Sequence, residues 1–146
     1  MCGLDLVGAE DLVTVNEGAL AEQFVGQELL CATRAFEDPQ LFCWGREARN
    51  ANAEVDFVIS RNQDILPVEV KAGKTGTLRS LFQFLQEKRR HQAVRFHLRP
   101  LVSESVKLPG GENHLVQLLS LPLHLMGQLD RLSAEAFHPH GRDVRE

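Results

Sequence analysis

The sequence predicts a single α/β domain in which helices flank one mixed β-sheet. Its 146 residues, 43% hydrophobic and 25% charged, are enough to bury one core of ordinary composition. The second observation is the order of elements that the hydrophobic periodicity predicts: helix, three strands, helix, one or two strands, helix. We place this domain at residues 1–133 and expect a polar, flexible tail at residues 134–146.

The first helix is predicted to run from Glu17 to the region of Pro39, because a residue that precedes proline avoids the helical conformation. Asn16 is a suitable N-cap, and Glu17 suits the positive end of the helix dipole. Apolar residues recur in two adjacent stripes, the first with Leu20, Phe24 and Cys31 and the second with Ala21, Val25 and Ala32.

Three strands are predicted next, at residues 41–45, 54–60 and 65–71, with a polar loop at 46–53 and a turn at 61–64. Strict alternation places the apolar residues of the second strand on one face, namely Val55, Phe57 and Ile59. The third strand likewise places Leu66, Val68 and Val70 together.

The remaining elements are a helix, two strands and a last helix. Thr75 or Thr77 can cap the helix, whose apolar face carries Leu78, Leu81, Phe82 and Leu85. Strands are predicted at residues 93–98 and 114–121, and the last helix at 122–132, with Pro122 in its first turn.

Charged residues in the third strand provide the most informative geometry. If residues 61–64 form the turn, Ser60 lies opposite Ile65, and Asp56 then lies opposite Glu69. Such cross-strand neighbours share a face, with Cβ atoms about 4.5–5.5 Å apart. Lys71, two residues beyond Glu69, projects from the same face. We therefore expect two carboxylates and one ammonium group to lie together.

Two facing carboxylates repel each other and lose solvation beside an apolar sheet, and Lys71 offsets only one of their charges. A divalent cation would offset the remainder, and oxygen-only ligands suit Mg²⁺ or Mn²⁺ better than Zn²⁺. A cation held in this way can bind a phosphodiester and activate water, while the lysine stabilises developing negative charge. The simpler alternative is that Glu69 and Lys71 are solvated charges on an edge strand.

The spacing of these residues resembles a known motif. Asp56, followed by the Glu69-Val70-Lys71 tripeptide, is similar to the D…(D/E)-X-K core of the PD-(D/E)XK, or restriction-endonuclease-like, superfamily. The resemblance implies an αβββαβ core and catalytic roles for Asp56, Glu69 and Lys71. It also implies that the backbone carbonyl of Val70 joins Asp56 and Glu69 as a metal ligand.

The superfamily usually adds an acidic residue from the first helix. Glu22, in "ALAEQFV", resembles the Ala-Glu pair that opens archaeal Holliday-junction resolvases, so the resemblance makes Glu22 the fourth catalytic residue. Glu28 is the alternative. The two lie about 240° apart around the helix, so they cannot both reach one metal ion.

Longer segments resemble the C-terminal domain of bacterial and archaeal AAA-type ATPases, the domain of unknown function 4143, over roughly residues 3–133. The matching segments are "EGALAEQFVGQELL", "WGREARNANAEVDFVI", "ILPVEVKAGKTGTLRSLFQFL" and "LLSLPLHLMGQLDRL". The resemblance implies a nuclease-like module attached to a P-loop ATPase. The sequence has no GxxxxGK[ST] motif, so the ATPase would be another chain or a missing N-terminal region.

Composition limits the remaining function classes. A net charge of −4 argues against a protein that binds nucleic acid through its overall charge, but it does not exclude a local basic groove. Three cysteines without metal-binding spacing, and the absence of a signal peptide, predict a reducing cytoplasmic setting, with Cys31 and Cys43 as small core residues. No apolar run reaches the roughly 18 residues that a membrane span needs.

Two functional hypotheses follow from these patterns. The first is a Mg²⁺- or Mn²⁺-dependent nuclease module, and because nucleases of this fold are often dimers, a homodimer is expected with it. The second is a non-catalytic interaction module that docks on an ATPase or another protein partner, which the acidic net charge favours.

Overall fold

The computed structural model describes residues 6–33, 36–48, 51–61, 64–72, 77–109 and 114–138. Within them, the helices are α1 (Leu6–Cys31), α2 (Arg79–Glu87), a 3₁₀ helix (Leu123–Gln128) and α3 (Leu129–Phe137). The strands are β1 (Phe42–Ala48), β2 (Ala51–Arg61), β3 (Asp64–Lys71), β4 (Gln92–His97), β5 (Val102–Lys107) and β6 (Leu115–Pro122).

All six strands belong to one mixed sheet, in the order β1-β2-β3-β4-β6-β5. Strands β1, β2 and β3 are antiparallel neighbours, β3, β4 and β6 are parallel, and β5 returns antiparallel to β6. Helix α2 is the crossover that parallel strands β3 and β4 require. The predicted α/β class, a mixed sheet flanked by helices, is therefore confirmed.

Apolar side chains form one core on each face of the sheet. The α1 face also packs against the 3₁₀ helix and α3, and its fully buried sheet residues are Leu66, Val68, Val70, Val94, Phe96, Leu119 and Leu121. The α2 face buries Val55, Leu81, Phe84, Leu85, Ala93, Leu108, Val116 and Leu118. From Leu66 to Val70, β3 is buried on both faces, so a charge within that segment is removed from water.

Strand β2 contains a bulge beside its partner β1. The pairs that bracket the bulge are Phe42–Val58 and Trp44–Val55. They enclose one residue of β1 but two of β2, Asp56 and Phe57. Val55 therefore packs in the α2-face core, whereas Phe57 and Ile59 pack on the α1 face. The prediction that these three residues share a face is wrong, because the extra residue breaks the alternation.

Helix α1 differs from the prediction at both ends and in its buried face. It begins at Leu6, so Asn16 lies inside the helix and is not its N-cap, and it ends at Cys31, well before Pro39. Among its described side chains, Ala21 and Val25 are buried, whereas Leu20 and Phe24 are 62% and 41% exposed.

Small residues explain which stripe of α1 faces the sheet. A Cβ atom on Gly26 would lie only 3.2 Å from the ring of Phe57, so glycine allows the helix to approach β2 closely. Ala21 lies on the same side, and the bulkier Leu20 and Phe24 are left outside. Cys31 and Cys43 are also exposed, so their assignment to the core is wrong.

The bounds of several other elements also differ from the predicted ones. The predicted polar loop at 46–53 contains the ends of β1 and β2, which pair as far as Ala48 and Ala51. Strand β5 is an edge strand with mostly exposed side chains and no strong apolar alternation. Pro122 ends β6, the chain then forms a 3₁₀ turn, and α3 continues to Phe137, while residues 139–146 lie outside the described part of the chain.

No helix among the described residues is long and apolar enough to cross a membrane. The longest, α1, carries charged and polar residues along its whole length. The fold therefore offers no helical membrane span within the described ranges.

Arg89 provides a stability test that does not touch the charged residues of β2 and β3. It follows α2 with a φ of 50°, a left-handed conformation that favours glycine, and the amide of Arg90 closes the helix end on the carbonyl of Leu85 at 2.9 Å. Arg89→Gly should raise the free energy of unfolding by about 1 kcal/mol in urea denaturation.

Lys88 is the matched control for this substitution, since its φ is −90°. Lys88→Gly should lower stability, because glycine gains nothing there and its unfolded chain has more conformational freedom. Equal effects of the two substitutions would contradict the assigned strain at Arg89.

Candidate active site

The candidate site lies where the pairing of β2 with β3 ends. Ser60 pairs with Ile65, as the turn register predicted, and the last pair of the ladder is Phe57 with Val68. The predicted pair of Asp56 and Glu69 would be one step further, next to the bulge. Both carboxylates therefore stand at a break in the sheet, where side chains can replace backbone partners.

Asp56 makes such a replacement. The backbone N–H of Val70 donates a hydrogen bond to Asp56 Oδ2, with a distance of 2.7 Å. The N–H and C=O of one strand residue point to the same side of the strand. The carbonyl of Val70 therefore also opens toward Asp56, although the Val70 side chain is buried in the α1-face core.

Glu69 and Lys71 form a close ion pair. Lys71 Nζ lies 2.5 Å from Glu69 Oε1, and the Glu69 side chain is 3% exposed. The other carboxylate oxygen, Oε2, is buried and has no hydrogen-bond partner among the described residues. Such an atom is costly in a folded protein, and it marks a place where a ligand is favoured.

Burial and neighbouring charge shift the acid–base properties of both carboxyl groups. Burial, with a further contribution from Asp56, raises the pKa of Glu69 to about 7, although Lys71 acts in the opposite direction. Burial also raises the pKa of Asp56, while the amide of Val70 and the charge of Lys71 lower it. The site therefore holds negative charge that the protein compensates only in part.

For Lys71, burial and the neighbouring negative charges act on the pKa in opposite directions. Burial lowers its pKa, but the hydrogen bond and the charge of Glu69, followed by the charges of Asp56 and Glu22, raise it above the usual value. Lys71 therefore remains a cation across the neutral pH range.

Of the two candidate helix carboxylates, Glu22 is the one within electrostatic reach of Asp56 and Lys71. Partial burial and the charge of Asp56 raise its pKa, and Lys71 lowers it, so the three side chains lie within each other's electrostatic influence. Glu22 precedes Gly26 by one turn, and the close approach at Gly26 brings it toward the sheet. Glu28 instead lines a separate groove.

That groove has a volume of about 890 Å³. It lies between the end of α1, the start of α3 and β2, and its lining includes Glu28, Thr33, Ile59 and Met126. None of Glu22, Asp56, Glu69 and Lys71 lines it. The charged site is therefore separate from this groove.

One member of this charged group was not predicted from the sequence. Glu54, two residues before Asp56 on β2, raises the pKa of Asp56 through its negative charge. The two-residue spacing was the available signal, since alternate strand residues lie near each other. A further carboxylate increases the excess of negative charge at the site.

The residues present partly fit a metal ion. Asp56 and Glu69 provide carboxylate oxygens, Glu69 Oε2 has no protein partner in the described chain, and these are hard donors of the kind that Mg²⁺ prefers. No three His, Cys, Asp or Glu side chains among the described residues are grouped closely enough to hold an ion alone. Mg²⁺ typically keeps several waters and needs only one or two protein carboxylates, and Asp56 and Glu69 would meet that part of its requirement.

The raised pKa of Glu69 predicts a specific pH dependence of stability. Below pH 4.5, its usual value, the side chain is neutral in the folded and unfolded states; above about pH 7 the folded protein must bury its charge. Stability should therefore fall between these values by on the order of 3 kcal/mol. Glu69→Gln, which stays neutral, should lack this loss in metal-free urea denaturation.

Glu135→Gln is the control for this experiment, because Glu135 is an exposed carboxylate on α3, 62% accessible. Its stability should follow that of the wild type from pH 4.5 to 8. Parallel pH curves for the wild type and Glu69→Gln would show that Glu69 is not strained by burial.

Comparison with known proteins addresses the identity of the domain. The family model described as "Domain of unknown function (DUF4143)" matches residues 17–121, a range that extends from α1 to β6 and includes every residue of the candidate site. No curated protein matches the chain at a significant level. The matched range covers well over half of the sequence, and the chain therefore belongs to the DUF4143 family.

Proposed function

We propose that this domain is a restriction-endonuclease-like module that hydrolyses phosphodiester bonds in nucleic acid with Mg²⁺ or Mn²⁺. The observation that carries the proposal is the convergence of Asp56, Glu69 and Lys71 at the end of the β2–β3 ladder, with Glu22 within electrostatic reach. A solvated Glu-X-Lys pair on an edge strand would not be buried, whereas Glu69 is 3% exposed on an interior strand.

The order of elements supports the fold half of this proposal. Helix α1, the three antiparallel strands β1 to β3, crossover helix α2 and parallel strand β4 follow the αβββαβ order of the superfamily. In this arrangement the charged residues come from α1, β2 and β3, which are the elements that the sequence motif assigns to them.

Each site residue has a role that its environment suits. Asp56 and Glu69 would hold the cation, and the Val70 carbonyl, which opens to the same side as the amide bound by Asp56, would complete the protein ligands. Glu22, at the rim on α1, would contribute directly or through water. The cation, when bound, would polarise a phosphodiester oxygen and lower the pKa of a water molecule.

Lys71 would act on the substrate. With no bound cation it is paired with Glu69, and its raised pKa keeps it charged at neutral pH. Neutralisation of Glu69 by a cation would weaken that pair and leave the ammonium group able to stabilise the negative charge that develops on the phosphate. A cation also offsets the cost of the ionised, buried Glu69.

A cleavage assay tests this function. Wild-type protein should cut at least one of single- and double-stranded DNA and RNA in Mg²⁺ or Mn²⁺, and EDTA should stop the reaction. Asp56→Asn, which retains an acceptor for the Val70 amide, and Lys71→Met should each reduce the rate by roughly 10²–10³-fold. Glu28→Gln is the matched control and should cleave normally, because Glu28 lines the other groove.

Two results would contradict the proposed function or its assay. A wild-type protein that cuts none of these nucleic acids, and that binds no Mn²⁺ in millimolar calorimetric titrations, would not be a metal-dependent nuclease. Cleavage that is unchanged in Lys71→Met would point to a contaminating enzyme.

A non-catalytic interaction module is the second candidate, and the exposed apolar residues on α1 favour it. Leu20 and Phe24 lie one turn apart, 62% and 41% exposed, on a helix face that no described element covers. An ATPase of the type that accompanies similar domains would be the partner.

This alternative makes a different prediction. Leu20→Ser/Phe24→Ser should abolish capture of an ATPase subunit in a pull-down, while Asp56→Asn should leave capture intact. Loss of capture in Asp56→Asn, with normal capture by the α1 variant, would exclude this face as the docking surface.

A further inference from the structure

Three buried side-chain atoms have no hydrogen-bond partner in the described part of the chain. One is Arg90 Nε, which follows α2, and the other two, Glu69 Oε2 and His97 Nε2, lie on neighbouring strands. Glu69 is 3% exposed and His97 is 7% exposed. Buried polar atoms are satisfied in nearly all folded proteins, so each exception calls for a bound group or a catalytic role. Two exceptions at the same end of the sheet suggest one shared partner.

The register of the sheet places these two side chains near each other. In the parallel ladder of β3 with β4, Glu69 pairs with Arg95 and Lys71 pairs with His97. The side chain of His97 therefore projects from the same face as Glu69. Strand spacing and rise place the two Cα atoms about 8 Å apart. One water molecule can join their polar ends, because two hydrogen bonds span about 5.6 Å.

The hydrogen bonding of His97 determines which ring nitrogen is free. The backbone of Pro100 acts to raise the pKa of His97, and a proline offers a ring N–H only its carbonyl oxygen. The tautomer that directs Nδ1–H at this carbonyl leaves the lone pair of a neutral ring on Nε2, which has no partner among the described residues. Burial and the charges of Arg95 and Arg99 lower the pKa of His97 and favour that neutral form.

We propose that His97 is a positioning residue of the carboxylate site: His97 Nε2 and Glu69 Oε2 accept the two hydrogens of one water molecule and hold it in place. Both acceptors are directed at the water's O–H groups, so its oxygen lone pairs face away from them. The catalytic meaning of this water rests on the proposed nuclease function; its existence rests only on the two buried acceptors.

A crystal structure of the metal-free wild-type protein at better than about 2 Å resolution tests the water directly. One water oxygen should lie within about 3.2 Å of both Glu69 Oε2 and His97 Nε2. A gap too wide for one water, or a protein group bonded to either atom, would overturn the inference. This result does not depend on catalytic activity. If the protein is inactive but contains this water, the proposed nuclease function is refuted and the inference about the water stands.

Kinetics test the positioning role in active protein. His97→Leu should reduce kcat by about 10–100-fold with little change in KM, as expected when a group that orients a metal site is removed. His97→Gln, which keeps an acceptor, should recover part of the loss. His91→Leu is the control for a changed histidine and should keep normal kcat, because His91 precedes Gln92, the first residue of β4, whereas His97 is its last.

A structural role for His97 would give a different pattern. The midpoint of urea denaturation would fall in both His97 variants, and kcat per folded molecule would remain that of the wild type. Such a result would overturn the positioning role even if the protein is a nuclease.

Discussion

A carboxylate buried in a central strand is the constraint on which the rest of the site depends. Glu69 lies in β3, which has neighbours on both sides and a core on both faces, so burial raises its pKa to about 7. Lys71 compensates one oxygen of this group, and the other has no partner within the described residues. A protein tolerates such a group when it supplies something that apolar packing cannot, and at this position we propose that this is affinity for a cation or a water molecule.

The fold supports this carboxylate by interrupting a regular sheet. The bulge in β2 places an extra residue at Asp56 and Phe57, the ladder with β3 stops, and the Asp56 carboxylate bonds the Val70 amide in place of a backbone carbonyl. Bulges are frequent beside active sites because they redirect a side chain without altering the rest of the strand. The same local break opens the backbone of Val70 and presents the two carboxylates to one region.

Local patterns predicted the strands of the site well, and contacts between distant elements explain the failures. Counting from the turn predicted Ser60 opposite Ile65, and the structure confirms it. Alternation failed at Val55, where the partner strand β1 imposes the bulge. The periodicity of α1 could not show which stripe is buried, because both were apolar and the close approach at Gly26 decided between them. His97 was not predicted as a site residue, because its position near Glu69 and its lack of a partner for Nε2 among the described residues become visible only when β4 lies beside β3.

The sequence by itself determined the order of helices and strands, except for edge strand β5, and the register of the β2–β3 hairpin. It thereby placed Asp56 near the Glu69–Lys71 segment, because these properties depend on residues a few positions apart. Tertiary structure alone decided that Glu22 rather than Glu28 approaches this segment, and that Glu69 is deeply buried. The reason is physical: desolvation and charge coupling depend on the neighbours that packing brings together, and those neighbours are distant along the chain.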